Sequence, residues 1–208
     1  MNHTPSNQLA KPFTLKHPYP NKLEVTDEWQ TALDAMLNSQ SNLFITGKAG
    51  TGKSTLLREF RKLTTKKITV LAPTGIAALH IHGETIHSFF RFKPNITIEE
   101  AIKLGKKEKR LSLFSHLDAI VIDEISMVRA DLLDCMHHFL KEALHNNAPF
   151  GGIQMIWIGD LHQLPPVVTQ TEALYFSNVY DSPYFFSSNV MNTHNDDIQY
   201  IELTKIFR

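Results

Sequence analysis

An apolar run, Leu43-Phe44-Ile45-Thr46, leads directly into Gly47-Lys48-Ala49-Gly50-Thr51-Gly52-Lys53-Ser54, and a helical pattern opens immediately after it. The spacing, glycine, four residues, then Gly-Lys-Ser, is that of a phosphate-binding loop. Few features constrain a fold so tightly, because such a loop works only between a buried strand and the amino end of a helix. The glycines let the backbone turn its N–H groups inward onto phosphate oxygens. Lys53 can then reach the β and γ phosphates, and the Ser54 hydroxyl can ligate Mg²⁺. Gly47, Ala49, Gly50, Thr51, Gly52, Lys53, Ser54 and Thr55 are the candidate nucleotide-binding residues. The alternative is an ordinary glycine-rich turn, and the flanking strand and helix weigh against it.

A loop of this kind predicts more strands, alternating with helices. Ile68-Thr69-Val70-Leu71-Ala72, Ala119-Ile120-Val121-Ile122-Asp123 and Gln154-Met155-Ile156-Trp157-Ile158 are short, apolar and rich in β-branched residues. Tyr184-Phe185-Phe186 and Gln199-Tyr200-Ile201-Glu202-Leu203 are weaker strand candidates. Thr26 or Asp27 can cap a helix whose apolar face is Trp29, Ala32, Leu33, Met36 and Leu37. A second long helix is expected from about Ala130 to His145. Strands apolar on both sides predict an α/β fold with a mostly parallel sheet and helices on both faces. The 208 residues fit one domain from 25 onward, preceded by a polar leader over 1–24 that carries Pro5, Pro12, Pro18 and Pro20.

Ligands of parallel sheets lie at the carboxyl ends of the strands. The third strong strand ends there in Asp123-Glu124. Asp123 can hold Mg²⁺, and Glu124 can orient or deprotonate the water that attacks the γ phosphate. Alone, such a pair is more often a helix cap; beside a phosphate loop it gains a second reading. The next strand ends in Gly159-Asp160-Leu161-His162-Gln163-Leu164-Pro165-Pro166-Val167. Gln163 can sense the γ phosphate or the attacking water, or it is a loop residue without a role.

Charge excludes a global nucleic-acid field, because Lys plus Arg (21) equals Asp plus Glu (21). Any strand-binding surface must be local. In Ala72-Pro73-Thr74-Gly75-Ile76-Ala77-Ala78 after the second strand, Thr74 and the neighbouring backbone amides could grip a phosphodiester. His87, Ser88, Phe89 and Phe90 could contact single-stranded backbone and stack on bases. A buried aromatic turn is the competing reading of that segment. The basic run Lys103-Leu104-Gly105-Lys106-Lys107-Glu108-Lys109-Arg110 reads as a solvated loop, with a DNA contact as the alternative. Cys135, the one cysteine, and Trp157 read as core. The histidines show no ligand spacing for zinc: His80 and His82 are two apart, His137 and His138 adjacent. The absence of a long apolar run or signal-like start makes no membrane contact and a cytoplasmic location the expectation.

Six stretches in order, Gly-Lys-Ala-Gly-Thr-Gly-Lys-Ser-Thr, Ala-Pro-Thr-Gly-Ile-Ala-Ala, Thr-Ile-His-Ser-Phe-Phe, Ile-Asp-Glu-Ile-Ser-Met-Val, Pro-Phe-Gly-Gly-Ile-Gln and Gly-Asp-Leu-His-Gln-Leu-Pro-Pro-Val, resemble the petite-integration-frequency (PIF) helicases. These belong to the 5′→3′ branch of superfamily 1 and are cousins of RecD. The resemblance covers roughly residues 26–208. It implies a RecA-like P-loop NTPase domain and ATP- and Mg²⁺-driven unwinding from a single-stranded 5′ tail, in DNA repair or recombination. It implies that Lys53 and Ser54 serve ATP and metal, that Asp123 and Glu124 serve magnesium and hydrolysis, and that Gln163 senses the γ phosphate. Pro73, Thr74, Gly75, His87, Ser88 and Phe89 fall in its strand-gripping motifs. Arg208 matches an arginine that reaches the γ phosphate, and Gln30 lies near a glutamine that reads adenine.

Members of that family continue into a second RecA-like domain, which completes the ATP site. The chain therefore reads as the amino-terminal part of a monomeric helicase, expected by itself to bind nucleotide weakly, hydrolyse it slowly and unwind nothing. Two rivals stay open. One is a stand-alone P-loop ATPase that does not act on DNA. The other is a non-enzymatic single-strand-binding remnant of a helicase.

Overall fold

A computed structural model describes residues 25–207. The leader over 1–24 and Arg208 lie outside the described residues. The elements run α1 (Asp27–Asn38), β1 (Asn42–Gly47), α2 (Lys53–Leu63), β2 (Ile68–Ala72), α3 (Gly75–His80), β3 (Glu84–Thr85) and α4 (Ile86–Phe90). They continue with α5 (Ile98–Lys106), α6 (Leu111–Ser115), β4 (Ala119–Ile122), α7 (Ala130–Leu144), β5 (Gln154–Gly159), α8 (Gln170–Val179), α9 (Asn189–Thr193) and β6 (Ile198–Leu203). The six strands form one sheet in the order β3-β2-β4-β5-β1-β6, and every pairing is parallel.

Alternation along the strands divides the core into two layers. Leu43, Ile45, Val70, Val121, Ile156 and Ile158 face α1 and α2, where Trp29, Leu33, Met36, Leu56 and Phe60 close the layer. Phe44, Leu71, Ile120, Ile122, Met155 and Trp157 face the other side, filled by Phe89, Phe90, Phe114, Phe139 and Phe185. Both faces are thus buried, which is why the strands read as continuous apolar runs. Cys135 and Trp157 lie in this second layer, as their sequence settings imply.

Local chemistry sets the helix starts. Thr26 caps α1 by accepting from the Trp29 amide at 3.2 Å, and Asp27 and Glu28 add negative charge to its first turn. Lys66 holds the other end of α1: its ammonium donates to the Met36 and Ser39 carbonyls and to Gln154 Oε1 on β5.

Two expectations are corrected. Tyr184-Phe185-Phe186 is no sheet strand; Phe185–Ser187 is a 3-10 turn, and Tyr184 makes only an isolated antiparallel bridge to Arg129. The aromatic run marks burial of Phe185, not strand pairing. The basic run is no simple loop either, since Lys103 to Lys106 close α5, capped at its start by a Thr97–Glu100 box. Gly105 lets α5 meet α7, for a Cβ there would stand 2.6 Å from the Phe139 carbonyl oxygen. Arg110 is half-buried, bound to Glu108 and to the Phe89 carbonyl.

Candidate active site

The strand order makes β4, β5 and β1 neighbours, so the residues just past their carboxyl ends converge. Those residues are Asp123 and Glu124 after β4, Asp160 after β5, and the phosphate loop after β1.

The loop closes on itself. Thr51 Oγ1 donates to the Lys48 carbonyl at 2.9 Å, and the Lys53 ammonium donates to the carbonyls of Gly47 and Lys48. A Cβ on Gly47 would stand 2.6 Å from the Leu203 carbonyl oxygen and 2.7 Å from Thr51 Oγ1, so only glycine fits between loop and β6. Gly52 precedes α2 at φ +89°, a left-handed conformation natural to glycine, and α2 has no side-chain cap. Its first N–H groups therefore lack the partner a capping side chain supplies. Ala49, Gly50 and Ser54 are exposed, Thr55 is half-buried and Thr51 buried. Phe207 donates its amide to the Gly50 carbonyl at 2.8 Å, which draws the chain after β6 over the loop.

Burial lowers the Lys53 pKa, and Asp160, Glu124 and Asp123 oppose that shift, so one ammonium feels all three carboxylates. Asp123 is buried, and burial together with neighbouring Glu124 pushes its carboxyl up to about 6. Glu124 follows at φ 53°, ψ 42°, left-handed for a residue with a side chain, a conformation that costs on the order of 1 kcal/mol or more. A 3-10 turn over Ile125–Met127 begins directly after it.

Gln163 is exposed, and its amide donates to Asp160 Oδ2 at 3.0 Å, while Asp160 Oδ1 accepts the His162 amide. Burial alone would raise Asp160; these donors and Lys53 hold it below the ordinary carboxylate range. Gln163 is thus hydrogen-bonded to the carboxylate whose charge Lys53 feels. Asp160 was not among the candidates from sequence, although it stands in the quoted Gly-Asp-Leu-His-Gln stretch. Ser54, Asp123 and Glu124 line a common cavity of about 610 Å³ with Arg58, Arg61 and His80.

Gln30 lies on α1, and its amide donates to Asp34 Oδ1 at 2.9 Å. Its neighbour Trp29 stands closer to the loop. The Trp29 indole N–H is buried with no acceptor among the described residues, 3.5 Å from where a Cβ on Gly52 would lie.

The strand-gripping candidates divide. Thr74, Gly75 and Ser88 line one open groove of about 640 Å³ with Ile76, Leu79 and Thr85. The Thr74 hydroxyl caps α3 by accepting from the Ala77 amide, and half-buried Pro73 precedes it. His87 instead lines a separate cavity of about 230 Å³ with Arg129 and Asp131. Burial, then Arg129, lowers its pKa against a rise from Asp131. Base stacking by Phe89 and Phe90 is corrected: both rings are buried, edge to face with one another, and packed on Phe114. The buried aromatic turn is what forms.

The donor set fits a polyphosphate with a divalent cation. An ammonium bonded to loop carbonyls, a helix start that no side chain caps and a buried carboxylate of raised pKa are the complement of phosphate oxygens and a metal ion. Fold and site together define a RecA-like P-loop domain. The model of the family described as PIF1-like helicase matches residues 24–208, and the chain belongs to that family. The ATP-dependent DNA helicase Pif1 of Bdellovibrio bacteriovorus is 36% identical over 187 residues, covering 86% of this chain and 41% of the relative. The crystal structure of Bacteroides sp Pif1 in complex with ADP-AlF4 superposes with a TM-score of 0.78 at 37% identity, covering 90% of this chain and 43% of that one. Bacteroides Pif1 bound to ssDNA gives a TM-score of 0.74 at 35% identity over 89% and 43% of the two chains. The chain thus spans less than half the length of these relatives. Among the described residues no helix is long and apolar enough to cross a membrane.

Proposed function

We propose that this chain is the first RecA-like domain of an ATP-dependent DNA helicase, which binds and hydrolyses ATP and grips single-stranded DNA at the same edge of the sheet. The observation that carries the reading is that neighbouring strands β4, β5 and β1 end at Asp123–Glu124, Asp160 and the phosphate loop, so that Lys53 feels all three carboxylates. The Bacteroides relative binds ADP-AlF4 and ssDNA.

In this reading the Lys53 ammonium exchanges its two loop carbonyls for phosphate oxygens, a short move that keeps its charge solvated by hydrogen bonds. The loop amides of 47–55 add fixed dipoles, and Gln30 meets the adenine. Ser54 and Asp123 would hold Mg²⁺, which when bound supplies Lewis-acid charge to phosphate oxygens. Glu124 takes the proton of the attacking water, and Gln163 turns from Asp160 to orient that water. Arg208 and a second RecA-like domain complete the site, and movement of one domain on the other drives 5′→3′ translocation. The strand lies along Thr74, Gly75 and Ser88. Gly75 supports this: nothing lies within 4 Å of a Cβ built on it, so internal packing does not demand glycine there, whereas close approach of a phosphodiester does.

The test is ATP turnover by the complete protein carrying this chain, with and without single-stranded DNA. Lys53→Ala is expected to lose nucleotide binding. Glu124→Gln is expected to keep binding and lose turnover at least a hundredfold, the loss on the order expected for a general base. The isolated 208-residue chain is expected to hydrolyse ATP slowly without separating strands. Full turnover in either variant, or indifference of the native protein to DNA, overturns the reading.

A further inference from the structure

Arg129 takes no part in the chemistry above, yet three functional segments meet at it. It follows the acidic pair by only the 3-10 turn and Val128, and it immediately precedes α7. Its Nε and Nη2 donate to Asp131 Oδ1 and Oδ2 at 3.0 and 2.7 Å. Its remaining nitrogen, Nη1, donates to Glu172 Oε1 at 2.7 Å. Glu172 in turn accepts the Thr169 amide and hydroxyl, in the capping box that starts α8 straight after the Gln163 segment. The guanidinium carbon lies 4.7 Å from the centroid of the Phe176 ring on the same helix. On its other side Arg129 shares a cavity with His87.

All three guanidinium nitrogens are committed, in a planar fork that lysine cannot reproduce. A side chain needed only for packing over Phe176 would not require that fork. We propose that Arg129 is a positioning residue that makes nucleotide turnover and strand grip change together, by tying the segment after Asp123–Glu124 to the start of α8, which follows the Gln163 segment, beside His87, the chain neighbour on α4 of Ser88 in the strand groove. The inference rests on the reading of the chain as a DNA-dependent ATPase. It predicts that a shift of Gln163 on hydrolysis moves α8, pulls on Glu172 and so alters the surroundings of His87.

The experiment compares the native complete protein with Arg129→Lys, Arg129→Ala and Glu172→Gln, measuring kcat and KM for ATP with and without single-stranded DNA, and the thermal midpoint. Arg129→Lys is the decisive variant, since it keeps the charge and most of the stem. The expected result is a tenfold or greater fall in the DNA-stimulated kcat of Arg129→Lys, with KM for ATP within twofold and the midpoint little changed. Arg129→Ala should fall at least as far, and Glu172→Gln in the same direction. A DNA-stimulated kcat in Arg129→Lys equal to the native value overturns the proposal, whatever Arg129→Ala does to stability. Native protein that ignores DNA instead sinks the helicase reading itself, a result visible before any variant is compared.

Discussion

Gly159 and Ile125 are packed so closely that no side chain fits between them: a Cβ on Gly159 would stand 2.9 Å from Ile125 Cγ2 and 3.1 Å from its amide nitrogen. The end of β5 therefore braces the turn that follows Glu124. Gly159→Ala must push that turn away, and Glu124 with it. The expected outcome is a loss of about 1–3 kcal/mol in stability, typical of overpacking, with a fall in turnover larger than the stability change explains. Denaturant midpoints and ATPase rates of the same preparation check both parts.

Asp123 illustrates the opposite trade. Its buried carboxyl is pushed up to about 6, first by burial and then by Glu124, so its charge opposes folding while no cation is bound. Asp123→Asn removes that charge at nearly constant shape. The nucleotide-free chain at pH 7.5 is expected to become more stable by roughly 1–2 kcal/mol, while Mg²⁺-dependent turnover is lost. A variant less stable than the native chain would show that the carboxylate has a structural partner there.

The pattern of legibility follows from what each residue had to satisfy. Strands β1, β2, β4 and β5 were readable because both faces are buried, which leaves unbroken apolar runs. The phosphate loop was readable because its mechanism needs glycine, lysine and serine at fixed spacing. Phe185 misled because an aromatic run marks burial as much as strand. Phe89 was ambiguous for the same reason, and its ring went to the core. Asp160 was passed over because its role depends on β5 lying between β4 and β1, which no local pattern records. Arg129 was invisible as well, for its partner Glu172 lies on a different element.

Asp134 on α7 is a buried carboxylate with four donors: the Tyr180 hydroxyl, the Asn189 amide and side chain, and the Val190 amide. It organises the start of α9 and anchors the chain that follows α8. Asp134→Ala leaves those donors buried without an acceptor, at a cost of about 3 kcal/mol or more. Tyr180→Phe removes one donor and should cost nearer 1 kcal/mol. Unfolding curves for the two variants test the ranking, and equal costs would mean that the carboxylate is not the organising group.

His137 makes stability depend on pH. The Phe150 amide donates to its Nδ1 at 3.0 Å, which requires that nitrogen to be unprotonated. Burial, with His138, Lys141 and His194 adding to it, lowers the imidazole to about 4, below the ordinary value of 6.5. Between those limits the unfolded chain binds a proton that the folded chain refuses. Stability from this group is thus complete above pH 6.5 and is lost as pH falls through 4. The loss amounts to roughly 2 kcal/mol once partial solvent screening is allowed for. Thermal midpoints measured from pH 7.5 to 4.5 should fall more steeply for the native chain than for His137→Gln, whose amide oxygen can accept from Phe150 without titrating. Parallel curves for the two proteins would place the acid sensitivity elsewhere in the fold.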